Sequence, residues 1–167
     1  MRRLLARNKK QDASPSKDLI SFARRYRHIG ISYPGVSHGW IPIVKNAIVL
    51  IEQKMWPRWI PLPLRWLIHW LATGNSVVRV KYWWAYRLRQ HLTQGQIISC
   101  IKDKFAGLRI YGAYRDEIEA IINAAAKECS ATCEFCGSKP AEIVGQGWIY
   151  NACSICATKR QLKEHQK

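Results

Sequence analysis

Two Cys-x-x-Cys pairs, Cys133/Cys136 and Cys153/Cys156, are the residues whose type and spacing point to the most definite chemistry. Sixteen residues lie between the pairs. Two cysteines separated by two residues can turn both sulfurs toward one ion, and Gly137 directly after the first pair permits the tight turn this requires. Two such pairs complete a tetrahedral four-thiolate site, the closed arrangement of structural zinc. The competing readings are disulfides or free thiols and an iron–sulfur centre. Ligand softness and spacing favour a single Zn2+ over both. A closed four-sulfur site leaves no open position for a substrate or an activated water, so its expected role is folding.

The elements around the cysteines must hold them in place. After Cys153 the run SICATKRQLKEH lacks Pro and Gly and reads as a helix. The second pair then sits at a helix N-terminus, where the dipole stabilises thiolate charge. Between the pairs, AEIVGQGWIYNA reads as a short hairpin around Gly145-Gln146-Gly147. Knuckle, hairpin and helix make a treble-clef-like zinc ribbon over residues 131–167. The expected fold is α+β: a small helical and β-hairpin body followed by that C-terminal ribbon.

At 167 residues, nearly half of them hydrophobic, the chain can build one core plus a small metal module. Net charge is +16 and uneven. Residues 1–90 hold 17 Lys and Arg against 3 Asp and Glu, whereas residues 91–167 hold 10 against 8. Such a basic field points to an anionic partner: nucleic acid, an acidic protein surface or an anionic membrane, with solubility alone as the plain alternative. Four of six cysteines in metal spacing fit a reducing, cytoplasmic setting. Cys100 lies in an apolar run and reads as core. Cys129 reads as a helix-end core residue, with a spare ligand as the alternative. The apolar run after Met1 is too short for a signal peptide.

Residues 1–30 read as a basic, partly flexible arm. A helix over 18–28 would present Arg24, Arg25 and Arg27 around Tyr26, a pattern that suits phosphate contact with base stacking as well as a solvated face. Residues 31–130 read as the body. Val44, Ala47, Ile48 and Ile51 recur at helical spacing from Ile41 to Met55, with Trp40 as a core anchor, Pro42 in the first turn and Pro57 as the stop. Residues 55–72 carry Trp56, Trp59, Trp66 and Trp70 among three prolines. Arg58, Arg65 and His69 interrupt them, which excludes a membrane span. An interfacial helix over 63–73 is one reading. A partly buried helix exposing Trp56, Trp59 and Trp66 to a protein partner is the preferred one, and a membrane surface is not expected as the partner.

Beyond a loop at Thr73–Ser76 the chain turns β-branched and then helical up to Leu92. Arg79, Lys81, Arg87 and Arg89 there surround Tyr82, Trp83, Trp84 and Tyr86, and with Arg24, Arg25 and Arg27 they form the candidate nucleic-acid surface. Gln96 to Ala113 has strand character with a turn at Gly107. Lys102 and Lys104 share one face, as a phosphate ridge or a solvated face, the latter with Arg109 paired to Asp103. Residues 115–129 form the clearest helix, with acids in its first turn and Ile118, Ile121, Ile122 and Ala125 as its apolar stripe.

IKDKFAGLRIY followed by an acidic-start helix, TCEFCG and a second cysteine pair resembles a set of small phage and prophage zinc-ribbon-like proteins. Those proteins carry a segment close to IKEKFGGLRFY. GWIPIV resembles the aromatic-proline helix start of the same set. The resemblance covers about residues 38–50 and 97–156, and Ala106 stands where the set has Gly. It implies a phage or mobile-element origin and a compact α+β body joined to the metal end, and little about function.

Three functions follow. The first is a zinc-stabilised basic protein binding nucleic acid through phosphates. The second is an accessory or inhibitor acting on a host or phage protein through the Trp-rich segment. The third is a nuclease on a treble clef. No enzyme is expected: His28, His38, His69, His91 and His165 are scattered, none lies between Cys133 and Cys156, and no catalytic motif assembles. No small-molecule substrate is evident.

Overall fold

The computed structural model describes residues 17–31, 34–74, 81–145 and 149–164, with side chains to residue 159. Among the described residues, six helices and two small sheets form a mixed α+β fold. Helix α1 (Lys17–Arg25) has Asp18 in its first turn and Arg24 and Arg25 in its last, each opposing the helix dipole. Its Leu19 and Ala23 are buried, as are His28 and Ile29 of the 3-10 turn that follows. The arm boundary expected at residue 30 therefore falls inside the core, because the apolar spacing in 19–29 anchors this stretch. The remainder of the expected arm, residues 1–16, lies outside the described residues.

Strand β1 (Pro34–Gly35) and a 3-10 turn (His38–Trp40) lead into α2 (Ile41–Met55). Val44, Ala47, Ile48, Ile51 and Met55 bury one stripe of α2, as their spacing dictates. Pro57 prevents continuation, and α3 (Leu62–Thr73) starts with Pro63 in its first turn. Helix α4 (Trp83–Leu92) packs on α3. The β-branched run expected before α4 lies, at residues 75–80, outside the described residues.

Strands β2 (Ile97–Lys104) and β3 (Gly107–Ala113) form an antiparallel hairpin, with β1 parallel to β2. The turn is Phe105-Ala106, both at φ 53°, and not Gly107, which opens β3 opposite Lys104. A bulge between Ile98 and Cys100 shifts the alternation. Ile98 and Ile101 consequently both face the core, and Cys100, expected inside, is turned half out. Asp103 accepts from Ser37 N at 3.1 Å and Ser37 Oγ at 2.5 Å, so it is not the partner of Arg109, which lies opposite Lys102.

Helix α5 (Asp116–Ser130) packs Ile118, Ile122, Ala125 and Cys129 against α2 and β3. Cys129 belongs to this core, where burial pushes its thiol up to about 12. Strands β4 (Glu142–Val144) and β5 (Tyr150–Ala152) pair antiparallel, and α6 (Ser154–Glu164) follows.

Candidate metal centre

The Sγ atoms of Cys133, Cys136, Cys153 and Cys156 all lie within 4.8 Å of one another. Cys136 and Cys153 sulfurs are 3.6 Å apart, as are those of Cys156 and Cys136. A tetrahedral ion with Zn–S bonds near 2.3 Å needs sulfur separations of roughly 3.8 Å, so the four side chains fit one ion. Ser138 holds the Cys136 thiol down to about 6 through hydrogen bonds, while burial and the neighbouring cysteines push Cys156 up to about 12. Four thiolates this close cannot all ionise without a cation between them.

Local backbone geometry explains the arrangement. The knuckle closes with Cys133 N donating to Ser138 O at 2.9 Å and Gly137 N to Cys133 O at 2.9 Å. Gly137 takes φ 78°, which a side chain would resist. Cys153 stands directly before α6 and Cys156 in its first turn, with Ala157 N donating to Cys153 O at 2.9 Å. Phe135 packs edge-on against Tyr150, with centroids 5.5 Å apart. The expected hairpin between the pairs is present as β4 and β5, although residues 146–148 of its loop lie outside the described residues.

The Gly39-Trp40 pair docks the knuckle on the body. Trp40 is fully buried and its Nε1 donates to Thr132 O at 2.7 Å. Gly39 N donates to Glu134 O at 2.8 Å, and a Cβ on Gly39 would run into the Cys133 carbonyl. Glu134 N in turn donates to Asn151 O at 3.0 Å. Sequence reasoning identifies Trp40 as a core anchor but misses this seam. The signal is a glycine set directly before a tryptophan and a proline-started helix.

The other predicted site residues divide. Arg24, Arg25, Arg27, Lys81 and Arg87 are exposed, and Arg79 lies outside the described residues. Arg89 is only 3 % exposed on the inner face of α4, where burial pulls its pKa down, so it is no phosphate contact. Trp56 is 1 % exposed and belongs to the core, not to a partner surface: it caps α2 and packs edge-on to His28 at 5.9 Å. Trp59 is 76 % exposed. Trp66 is part-exposed and its Nε1 donates to Arg25 O at 3.0 Å, tying α3 to the end of α1.

Arg65, which in the sequence only interrupts an apolar segment, is buried. It is ion-paired to Glu52, with Nε donating to Ile60 O at 2.7 Å. His28 Nε2 shares the same Glu52 oxygen at 3.1 Å. The available signal is Glu52 itself, the only Asp or Glu between Asp18 and Asp103. Among the described residues, no helix is long and apolar enough to cross a membrane. Compared with family models, curated proteins and solved structures, the chain matches none.

Proposed function

We propose that the chain is a zinc-stabilised basic protein, of phage or mobile-element origin, that binds nucleic acid mainly through the phosphate backbone. On this reading the four cysteines hold one Zn2+ in a treble-clef-like ribbon, and the ion serves the fold. The observation that carries the reading is exposed positive charge, free of ion pairs among the described residues, on elements packed in succession. Arg24 and Arg25 end α1, and Arg27 opens a 3-10 turn that packs on α3. Helix α3 packs on α4, which carries Arg87 one residue after Tyr86 and begins just past Lys81. All five cations are exposed, and none forms an ion pair among the described residues. Residues 53–102 contain eight Lys and Arg and no Asp or Glu. Several phosphates neutralised together give affinity that falls steeply with salt.

The test is fluorescence anisotropy with mixed-sequence DNA and RNA at two salt concentrations. Replacing Arg24, Arg25, Arg27, Lys81 and Arg87 by Gln should weaken binding uniformly across sequences. The salt slope should flatten by about one for each phosphate no longer neutralised. Absence of binding at low salt rejects the reading.

A second reading is favoured by α3, which buries Ile68, Leu71 and Ala72 yet is also apolar on its outer face. Arg65 points inward while Leu62, Leu64, Trp66, Leu67 and Trp70 are exposed, beside the bare Trp59. A protein partner with an acidic-rimmed apolar groove fits that face. Direct titration of such a partner against Trp59→Gln and Trp70→Gln tests it; unchanged affinity rejects it.

A further inference from the structure

The tip of the β2–β3 hairpin is strained, exposed and clamped. Phe105 and Ala106 both take φ 53°, in a two-residue turn whose positions favour Asn, Asp or Gly because L side chains crowd the backbone there. Phe105 is nevertheless a large aromatic residue, and it is 70 % exposed. Neither backbone preference nor burial accounts for it. Strain of this kind persists where surrounding contacts over-determine it, and it concentrates at functional sites. The contact here is Asn151, whose Nδ2 donates to the Ala106 carbonyl at 2.5 Å from the strand that leads into Cys153.

The hairpin's outer face surrounds this tip with positive charge. Lys102 lies cross-strand from Arg109, and Lys104 directly precedes the turn; all three are exposed. Lys104 Nζ stands 4.9 Å from the Phe105 ring centroid, and Lys102 Nζ 5.0 Å from that of Tyr111, which is also exposed. Asp103 is the only Asp or Glu in residues 97–113, and it sits on the opposite face, engaged by Ser37.

We propose that this tip is a binding site for unpaired nucleotides: Phe105 stacks on a base while Lys102, Lys104 and Arg109 hold the flanking phosphates. The inference rests on the nucleic-acid reading above and names its substrate class as single-stranded. A paired base has both faces covered by its neighbours, whereas an unpaired one offers a face to an aromatic ring. The metal centre thereby gains a second role, since the ribbon that carries Asn151 sets the turn that presents Phe105.

The experiment compares Phe105→Ala, Phe105→Leu and Phe105→Trp in the zinc-loaded full chain. The probes are a mixed-sequence single-stranded oligonucleotide and its duplex, read by anisotropy. Phe105→Ala and Phe105→Leu should weaken single-strand binding by roughly 5- to 100-fold, with duplex affinity and the salt slope unchanged. Phe105→Trp should restore it. Metal content and the unfolding midpoint verify that each variant is folded, which the exposure of Phe105 favours. If the chain binds single strands and Phe105→Ala binds them equally well, the hairpin assignment falls and the phosphate-binding reading stands. If the unaltered chain binds neither probe at low salt, both fall.

Discussion

The side-chain amide of Asn151 donates to the carbonyl oxygen of Ala106 at 2.5 Å, across 45 residues of sequence and from the four-cysteine ribbon into the body. The bond is buried, and Ala106 sits at φ 53°, a conformation unfavourable to any residue with a Cβ. Asn151→Ala leaves that carbonyl without its partner and should cost about 1–3 kcal/mol in urea unfolding. Ala106→Gly removes the steric conflict and should add up to about 1 kcal/mol. A lower midpoint for Ala106→Gly would mean that the buried methyl contributes more than the strain costs.

Gly39→Ala tests the second seam between ribbon and body. The new methyl group meets the Cys133 carbonyl and the Gly137 amide, both fixed backbone of the knuckle. Neither can yield without displacing Cys133. We expect a loss of about 3 kcal/mol or more, together with faster zinc release to a chelator. A variant of normal stability that retains its metal would show that the knuckle can move off Trp40.

These seams mark where sequence reasoning runs out. The four cysteines are legible because each pair is local: two residues between partners dictate the knuckle whatever the rest of the chain does. The stripe of α2 is legible for the same reason. Trp56 and Trp59 are not separable, since composition treats them alike. Only the helix end at Met55 decides that one caps the core while the other stands in solvent. The inward turn of Arg65 needs Glu52 on a different helix, and Cys100 depends on a bulge that periodicity does not announce. Gly107 draws the turn assignment because glycine is the common turn residue, yet Phe105 and Ala106 hold the positive φ. The bond from Trp40 to Thr132 spans 92 residues and no local pattern encodes it.

Metal removal should unfold the ribbon before the body. The ribbon's own core is small, built on Cys133, Tyr150, Ala152 and Cys153, so on the zinc reading four metal–sulfur bonds would supply much of its stability. Mass spectrometry or atomic emission should find one zinc per chain. Cys133→Ser should lose the metal and the backbone amide protection of residues 133–157, while α2 and α5 keep theirs. Protection unchanged after chelation would sink the structural role.

Breaking the buried Glu52–Arg65 pair should cost more than replacing it. Burial raises the Glu52 pKa, but hydrogen bonds and charge from His28 and Arg65 outweigh it and leave the carboxyl below its usual range. Glu52→Gln leaves Arg65 without a counter-charge and should lose about 3–5 kcal/mol, whereas Glu52→Leu combined with Arg65→Met should recover most of that. A double variant no more stable than Glu52→Gln would place the loss elsewhere.

Acid should destabilise the chain through His69 before the carboxylates respond. Burial, together with the positive charges of Arg89 on α4 and of His28 and Arg27 on the 3-10 turn, lowers its pKa to about 4. Between its ordinary value of 6.5 and about 4, the unfolded chain binds a proton that the folded chain refuses. Stability is therefore full above pH 6.5 and falls as pH drops, by up to about 2 kcal/mol at pH 5. His69→Gln cannot titrate, so its unfolding free energy should stay flat from pH 6.5 to 5 while that of the unaltered chain declines. Parallel curves for the two proteins would assign the acid sensitivity to another group.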